Sequence, residues 1–136
     1  MENINNEENP LVSVVSAYYN RQDKVIDSIN SLLNQTYKNL EIIVIDDGST
    51  DDTYKVLSSL EDPRLKIISQ PNQGFVRAIR YAISVSNSEF IAIHGAGDIS
   101  LPKRIEMQVN LLMGNPDIGV VGCHVRNFNM VKRQWD

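Results

Sequence analysis

The spacing of apolar residues along the chain switches repeatedly between two periods. Leu11–Ala17 is a short, valine-rich run and predicts a strand. From Arg21 to Asn34, Val25, Ile26, Ile29, Leu32 and Leu33 fall on one stripe of a helix. Leu40–Ile45 is nearly all apolar, the pattern of a strand covered on both faces. A short helix is expected over Asp52–Leu60, behind the capping candidates Ser49, Thr50 and Asp51. Leu65–Ser69 predicts a third strand, and Phe75–Val85 a helix with Val76, Ile79, Ala82 and Ile83 inward. Phe90–Ile93 reads as a fourth strand. Pro102 opens a helix that runs to Met113, with Ile105, Val109, Leu112 and Met113 on one side, and Gly114 and Pro116 stop it. Ile118–Cys123 reads as a fifth strand.

Strands that alternate with helices predict βαβ units: an α/β fold with a mainly parallel sheet and helices on both faces. The 136 residues suit one domain. Residues 1–9 are polar and acidic and are read as a disordered leader, leaving 10–136 as the folded part. The net charge of −4 lacks the basic footprint of a nucleic-acid binder. The longest apolar stretches are about six residues, short of the roughly 20 needed to span a bilayer, so no transmembrane segment is expected. The single cysteine, Cys123, cannot form an internal disulfide and is read as a small buried residue of the fifth strand. That usage suits a reduced, cytoplasmic setting, including a peripheral place at the inner membrane face.

In open α/β sheets ligands bind beyond the carboxyl ends of the strands. Tyr18, Tyr19 and Asn20 follow the first strand, Asp46-Asp47-Gly48-Ser49-Thr50-Asp51-Asp52 the second, and His94-Gly95-Ala96-Gly97-Asp98 the fourth. Aromatics, carboxylates and glycines therefore converge on one sheet edge. A ring there can stack on a nucleobase, and a carboxylate can accept from a base N–H or a ribose hydroxyl. A second carboxylate can hold Mg²⁺ or Mn²⁺ against phosphate oxygens. An acidic edge accepts a diphosphate only through a cation, so charge itself implies a metal. The dinucleotide G-x-G-x-x-G loop and the GxxxxGK[ST] loop are both absent. An Asp-x-Asp phosphotransfer pair fails on spacing, because Ile45 stands two before Asp47.

Val14–Asn20 (VVSAYYN) and Ser31–Thr53 (SLLNQTYKNLEIIVIDDGSTDDT) resemble the opening and the most specific stretch of family 2 glycosyltransferases. Asn72–Ile83, Ser88–Ile93, Asp98–Val109 and Asn115–Gly122 follow in that family's order, so the resemblance runs from about Pro10 to Cys123. It implies a Rossmann-like GT-A fold that binds a nucleotide-diphosphate sugar, often a UDP-sugar, with Mn²⁺ or Mg²⁺. By position, the resemblance puts Tyr19 beside the base with help from Ala17, and Asn20 in the same opening. Asp46 becomes the carboxylate that bonds the base, Asp47 the support of its loop, and Arg77 the basic group that reaches base or diphosphate. Gly95, Ala96 and Gly97 form the sugar-phosphate turn, and Asp98 is the metal ligand. Where the family turn reads Asp-x-Asp-Asp, this one reads Gly95-Ala96-Gly97-Asp98, and Ala17 replaces a proline.

The family's acceptor half and its general base, an Asp or Glu, are expected beyond Asp136. The implied reaction is inverting sugar transfer to the hydroxyl of a glycan, lipid-linked or protein acceptor, as in surface polysaccharide or glycoprotein glycan assembly. A donor half alone exposes an edge and apolar surface, so a homo-oligomer is expected. The rival reading keeps the fold as a catalytically incomplete nucleotide-binding or assembly module. Tyr18 is expected to pack, and His94 to be a hydrogen-bonded residue at a strand end.

Overall fold

A computed structural model of the chain describes residues 9–135. Residues 1–8, most of the expected leader, lie outside the described residues. The elements run β1 (Val12–Tyr18), α1 (Val25–Leu33), β2 (Leu40–Asp47), α2 (Thr53–Ser58), β3 (Leu65–Gln70), α3 (Phe75–Ser84), β4 (Phe90–Ile93) and α4 (Arg104–Gly114). A short ribbon of β5 (Phe128–Asn129) and β6 (Gln134–Trp135) ends the described chain. The main sheet has the order β3-β2-β1-β4, and all its pairings are parallel. Every carboxyl end therefore lies on the same edge, as the alternation of strands and helices requires.

Side chains alternate across a strand, and the core divides accordingly. Val12, Val14 and Tyr18 of β1 join Leu40, Ile42 and Val44 of β2 on the face covered by α1, α2 and α4. Val15, Ala17, Ile43 and Ile45 meet Ala78, Ile79 and Ala82 of α3 on the other. Each fully buried valine or isoleucine contributes about 2 kcal/mol, and β1 is buried along its whole length. Helix α3 turns slightly from its expected face: Ala78 joins Ile79 and Ala82 inside, whereas Val76 and Ile83 are exposed. A small residue at 78 lets the helix lie close to the sheet, and that rotation carries the larger neighbours outward. On α4, Ile105 and Val109 are buried, and Met113 is exposed. The first helix begins as a 3-10 turn, Gln22–Lys24, before α1 proper.

The fifth strand does not form. Ile118–Cys123 has no strand partner, Val120 is 86% exposed, and Cys123 is exposed rather than buried. An apolar run becomes a strand only when a neighbour satisfies its backbone groups, and among the described residues no strand pairs with this one. The β5–β6 ribbon, which the apolar pattern did not predict, is held by Phe128 edge-on to Trp135 at 5.0 Å, with Arg126 over the Trp135 ring. No helix among the described residues is long and apolar enough to cross a membrane.

Candidate functional site

At the carboxyl edge, Ala17, Tyr18, Tyr19, Arg21, Asp47, Phe75 and Ala96 line an open cleft of about 340 Å³. Its geometry follows from strand alternation. Tyr18 points into the α1 face and is fully buried, its hydroxyl 2.9 Å from Ser28 Oγ. Burial pushes its phenol pKa up. Tyr19, one position on, is 48% exposed and leaves its ring free over the cleft. The expected division between a packing tyrosine and an outward one is what the structure shows.

The same alternation separates Asp46 from Asp47. Asp47 shares the α3 face with Ile43 and Ile45, and meets the residues that lead into α3. Its Oδ1 accepts from Gln70 Nε2 at 2.8 Å and from the Gln73 N–H at 2.9 Å, and its Oδ2 from the Gly74 N–H at 2.9 Å. Burial alone would raise the carboxyl pKa; these donors outweigh it and hold the group below the usual carboxylate range. Asp46 is 2% exposed and does not line the cleft. Its Oδ2 has Ser69 Oγ at 3.4 Å, and its Oδ1 has no partner among the described residues. The roles expected for the two acids are therefore revised: Asp47 supports its loop and also presents the carboxylate to the cleft.

Asn20 adopts a left-handed backbone with φ 51° and stitches the loops together. Its Oδ1 accepts from the Thr50 N–H at 2.7 Å, and its own N–H donates to Ser49 Oγ at 3.0 Å. Asp51 accepts from the Thr53 N–H at 2.9 Å in a tight turn just ahead of α2. Gly48 has φ 72°, and a Cβ there would stand 2.6 Å from the Asn72 backbone nitrogen, so only glycine lets these two loops cross. Arg77, in the first turn of α3, is exposed and is not among the residues lining the cleft. Arg21 and Phe75 do line it, and the apolar pattern gave no sign of either. The signal available was position alone: each stands just past a loop that leaves the sheet edge.

The turn after β4 is closed by the Asp98 N–H donating to Gly95 O at 3.0 Å. Gly97 has φ 95°, and a Cβ there would meet the Lys24 stem at 3.1 Å. The Asp98 carboxylate folds back over Gly95, 2.5 Å from where a Cβ would stand. The turn thus holds one exposed carboxylate in the space that a side chain at 95 would take. Among the described residues, no three metal-ligating side chains gather. One carboxylate with free oxygens fits a hard cation whose remaining ligands are substrate phosphates and water. Beneath the turn, His94 is 2% exposed. Its Nε2 lies 3.0 Å from Ser28 Oγ and its Nδ1 3.1 Å from Ser100 Oγ, the strand-end bonding expected of it. Burial, then the Arg104 charge, lower its pKa to about 4.

The profile of the Glycosyl transferase family 2 group matches residues 13–136. The chain belongs to that family. An uncharacterized glycosyltransferase of Haemophilus influenzae is 41% identical over 119 residues, which cover 85% of this chain and 37% of that protein. The UDP-Glc:alpha-D-GlcNAc-diphosphoundecaprenol beta-1,3-glucosyltransferase WfaP of Escherichia coli is 34% identical over 103 residues, 75% of this chain and 41% of its own length. The chain thus spans less than half the length of these family 2 relatives. Among solved structures, the mannosyltransferase PcManGT of Pyrobaculum calidifontis, in complex with GDP-Man and Mn²⁺, superposes with a TM-score of 0.71 at 24% identity, over 79% of this chain and 33% of that one. TarS of S. aureus, in complex with UDP, gives 0.67 at 23% identity, over 74% and 31%. These likenesses show the GT-A fold.

Proposed function

We propose that this family 2 domain binds the nucleotide-diphosphate sugar of a glycosyltransferase, with UDP as the nucleotide. The observation that carries the reading is the cleft itself, where the free Tyr19 ring and the Asp47 carboxylate face the Gly95–Asp98 turn across one sheet edge. A relative 34% identical bears UDP-Glc in its name, which supports the choice of nucleotide. The base stacks on Tyr19 over Ala17, and Asp47 accepts from its N–H. Arg21 adds positive charge beside the cleft, and Asn20 keeps the two loops in register. The backbone of Gly95, Ala96 and Gly97 lets the diphosphate approach closely.

Asp98 would hold Mn²⁺ or Mg²⁺ jointly with the diphosphate oxygens. When bound, that ion offsets the charge of the departing nucleotide. Transfer is to an acceptor hydroxyl with inversion, and the acceptor is a glycan, a lipid-linked or a protein group. The Asp or Glu that deprotonates it belongs to the part of the family architecture beyond this domain. The reading extends to surface polysaccharide or glycan assembly in the cytoplasm or at its membrane face, and to self-association through the apolar surface left open.

Calorimetric titration with UDP, in EDTA and in Mn²⁺, tests it. Tyr19→Ala should weaken UDP binding by about tenfold, the value of one base–aromatic stack. Asp98→Asn should weaken it only when Mn²⁺ is present. Absence of UDP binding to the unaltered chain in both conditions removes the donor reading and leaves the domain as an assembly module.

A further inference from the structure

The buried ring of His94 has no part in the donor contacts described so far. The residue sits at the last turn of chain before Gly95, with its backbone N–H on Val15 O at 2.9 Å. Its ring touches two helices. On one side Nε2 meets Ser28 Oγ of α1, which also lies 3.3 Å from the Gly97 N–H and 2.9 Å from the Tyr18 hydroxyl. On the other side Nδ1 meets Ser100 Oγ at 3.1 Å and Arg104 Nη1 at 3.4 Å, at the start of α4. Arg104 Nη1 also donates to Ser100 Oγ at 2.9 Å, and its Nη2 to Ile93 O at 2.9 Å. Ser100 is fixed in turn by its N–H donating to Ser31 Oγ at 3.0 Å.

A guanidinium only donates, so Ser100 Oγ takes the Arg104 hydrogen. Ser28 Oγ takes hydrogens from the Tyr18 hydroxyl and the Gly97 N–H. The ring is thus held between two hydroxyls, each fixed by donors of its own.

We infer that His94 is a positioning residue, a buried imidazole that clamps the Gly95–Asp98 turn between α1 and α4 and so sets where that turn meets the donor's diphosphate. This rests on the donor reading given above. The ring touches no donor atom. It acts through Ser28, which bonds the Gly97 N–H, and through Ser100 on the far side of the turn. Partners of this kind, one layer behind a ligand group, commonly change affinity by about 10- to 100-fold when removed. The base end of the cleft is built from the ends of β1 and β2 and from Phe75, so a fault in the turn should leave it alone.

The test compares uridine, which has the base but no phosphates, with UDP, each titrated into the full chain with Mn²⁺. For His94→Leu, UDP affinity should fall by about tenfold or more while uridine stays within about twofold. His94→Gln, which keeps a side-chain donor and acceptor, should recover most of the loss. Ser28→Ala, which removes the hydroxyl that joins the ring to the Gly97 N–H, should reproduce the selective fall and serves if His94→Leu does not fold. Equal losses for uridine and UDP, or no loss for UDP in a folded His94→Leu, overturn the inference. If the unaltered chain binds neither uridine nor UDP, the donor reading itself falls and takes the inference with it. Binding of uridine with the wrong pattern in the variants defeats the inference alone.

Discussion

At the end of β2 the carboxylate itself is buried and bonded. At the turn after β4 the carboxylate is exposed, and the buried, bonded groups lie underneath it. Asp47 accepts three hydrogen bonds that tie it to the chain entering α3. Asp98 carries no such tether, yet its turn rests on His94, Ser28, Ser100 and Arg104. The first arrangement fixes a charge in one place and makes it part of the fold. The second leaves the charge free to gain or lose a ligand above groups that are already bonded to one another. Removing a group at the β2 end should therefore register first as lost stability. Removing a group at the β4 turn should register first as lost affinity.

The largest break in that comparison is Asp47→Ala. It removes three hydrogen bonds to a carboxylate, from two backbone N–H groups and the Gln70 amide, and should cost about 4 kcal/mol in urea unfolding, at roughly 1.5–3 kcal/mol per bond to a charged group and less where the donor stays open to water. Asp47→Asn keeps the Oδ1 acceptor and should cost about half as much. A loss below about 1 kcal/mol for Asp47→Ala would mean that this loop is held by something else.

The second effect is a pH dependence. His94 has its folded pKa lowered to about 4, below the roughly 6.5 of an unfolded histidine. Between those values the unfolded chain binds a proton that the folded chain does not, so stability falls as pH drops from about 6.5 toward 4 and then levels off. The full change is on the order of 3 kcal/mol. The contribution of Asp47, whose folded pKa is lowered, is present at higher pH and is lost below about pH 5. The upper part of the slope therefore belongs to His94. Urea midpoints across this range should flatten above pH 5 in His94→Gln; an unchanged slope there would assign it to another group.

The smallest effect is Gly97→Ala. A backbone φ of 95° disfavours any side chain, and the cost should be about 1–2 kcal/mol, because the Lys24 stem it meets can move aside. UDP affinity should fall by more than that stability loss would suggest, and titration beside thermal melting reads both. If stability alone falls, the turn's shape has no bearing on the ligand.

The element order was legible because β1 and β2 announce themselves as short, mostly apolar runs, the pattern of strands buried on both faces. Convergence of Tyr19, Asp47 and the Gly95–Asp98 turn followed from strand direction alone. The roles of Asp46 and Asp47 were not legible. Neighbouring aspartates look alike in a sequence, and which one faces the cleft depends on where the pleat falls relative to α3. Ile118–Cys123 misled for a related reason: its valines have strand propensity, but a strand is decided by a partner, and pairing is not a property of six residues. The His94 cluster draws on residues from β1, α1, β4, the turn and α4. No local spacing could have joined them.

Strand β4 pairs with β1 through only four residue positions, Val12 to Val15 against Phe90 to Ile93. That pairing closes a loop from Val12 to Phe90, whereas the β1–β2 pairing closes one from Val12 to Leu40. The longer closure costs roughly 0.9 kcal/mol more chain entropy, and fewer ladder bonds repay it. On the folding path, then, β4 should dock late, after β1 and β2 have formed a nucleus. In the native ensemble it should be among the first parts to detach, so amide protons of Ile91 to His94 should exchange ahead of those in β1 and β2. The turn that would face the diphosphate is thus hung on the loosest strand of the sheet. A bound donor that bridged the β2 end to that turn would slow this exchange without adding a single protein–protein contact.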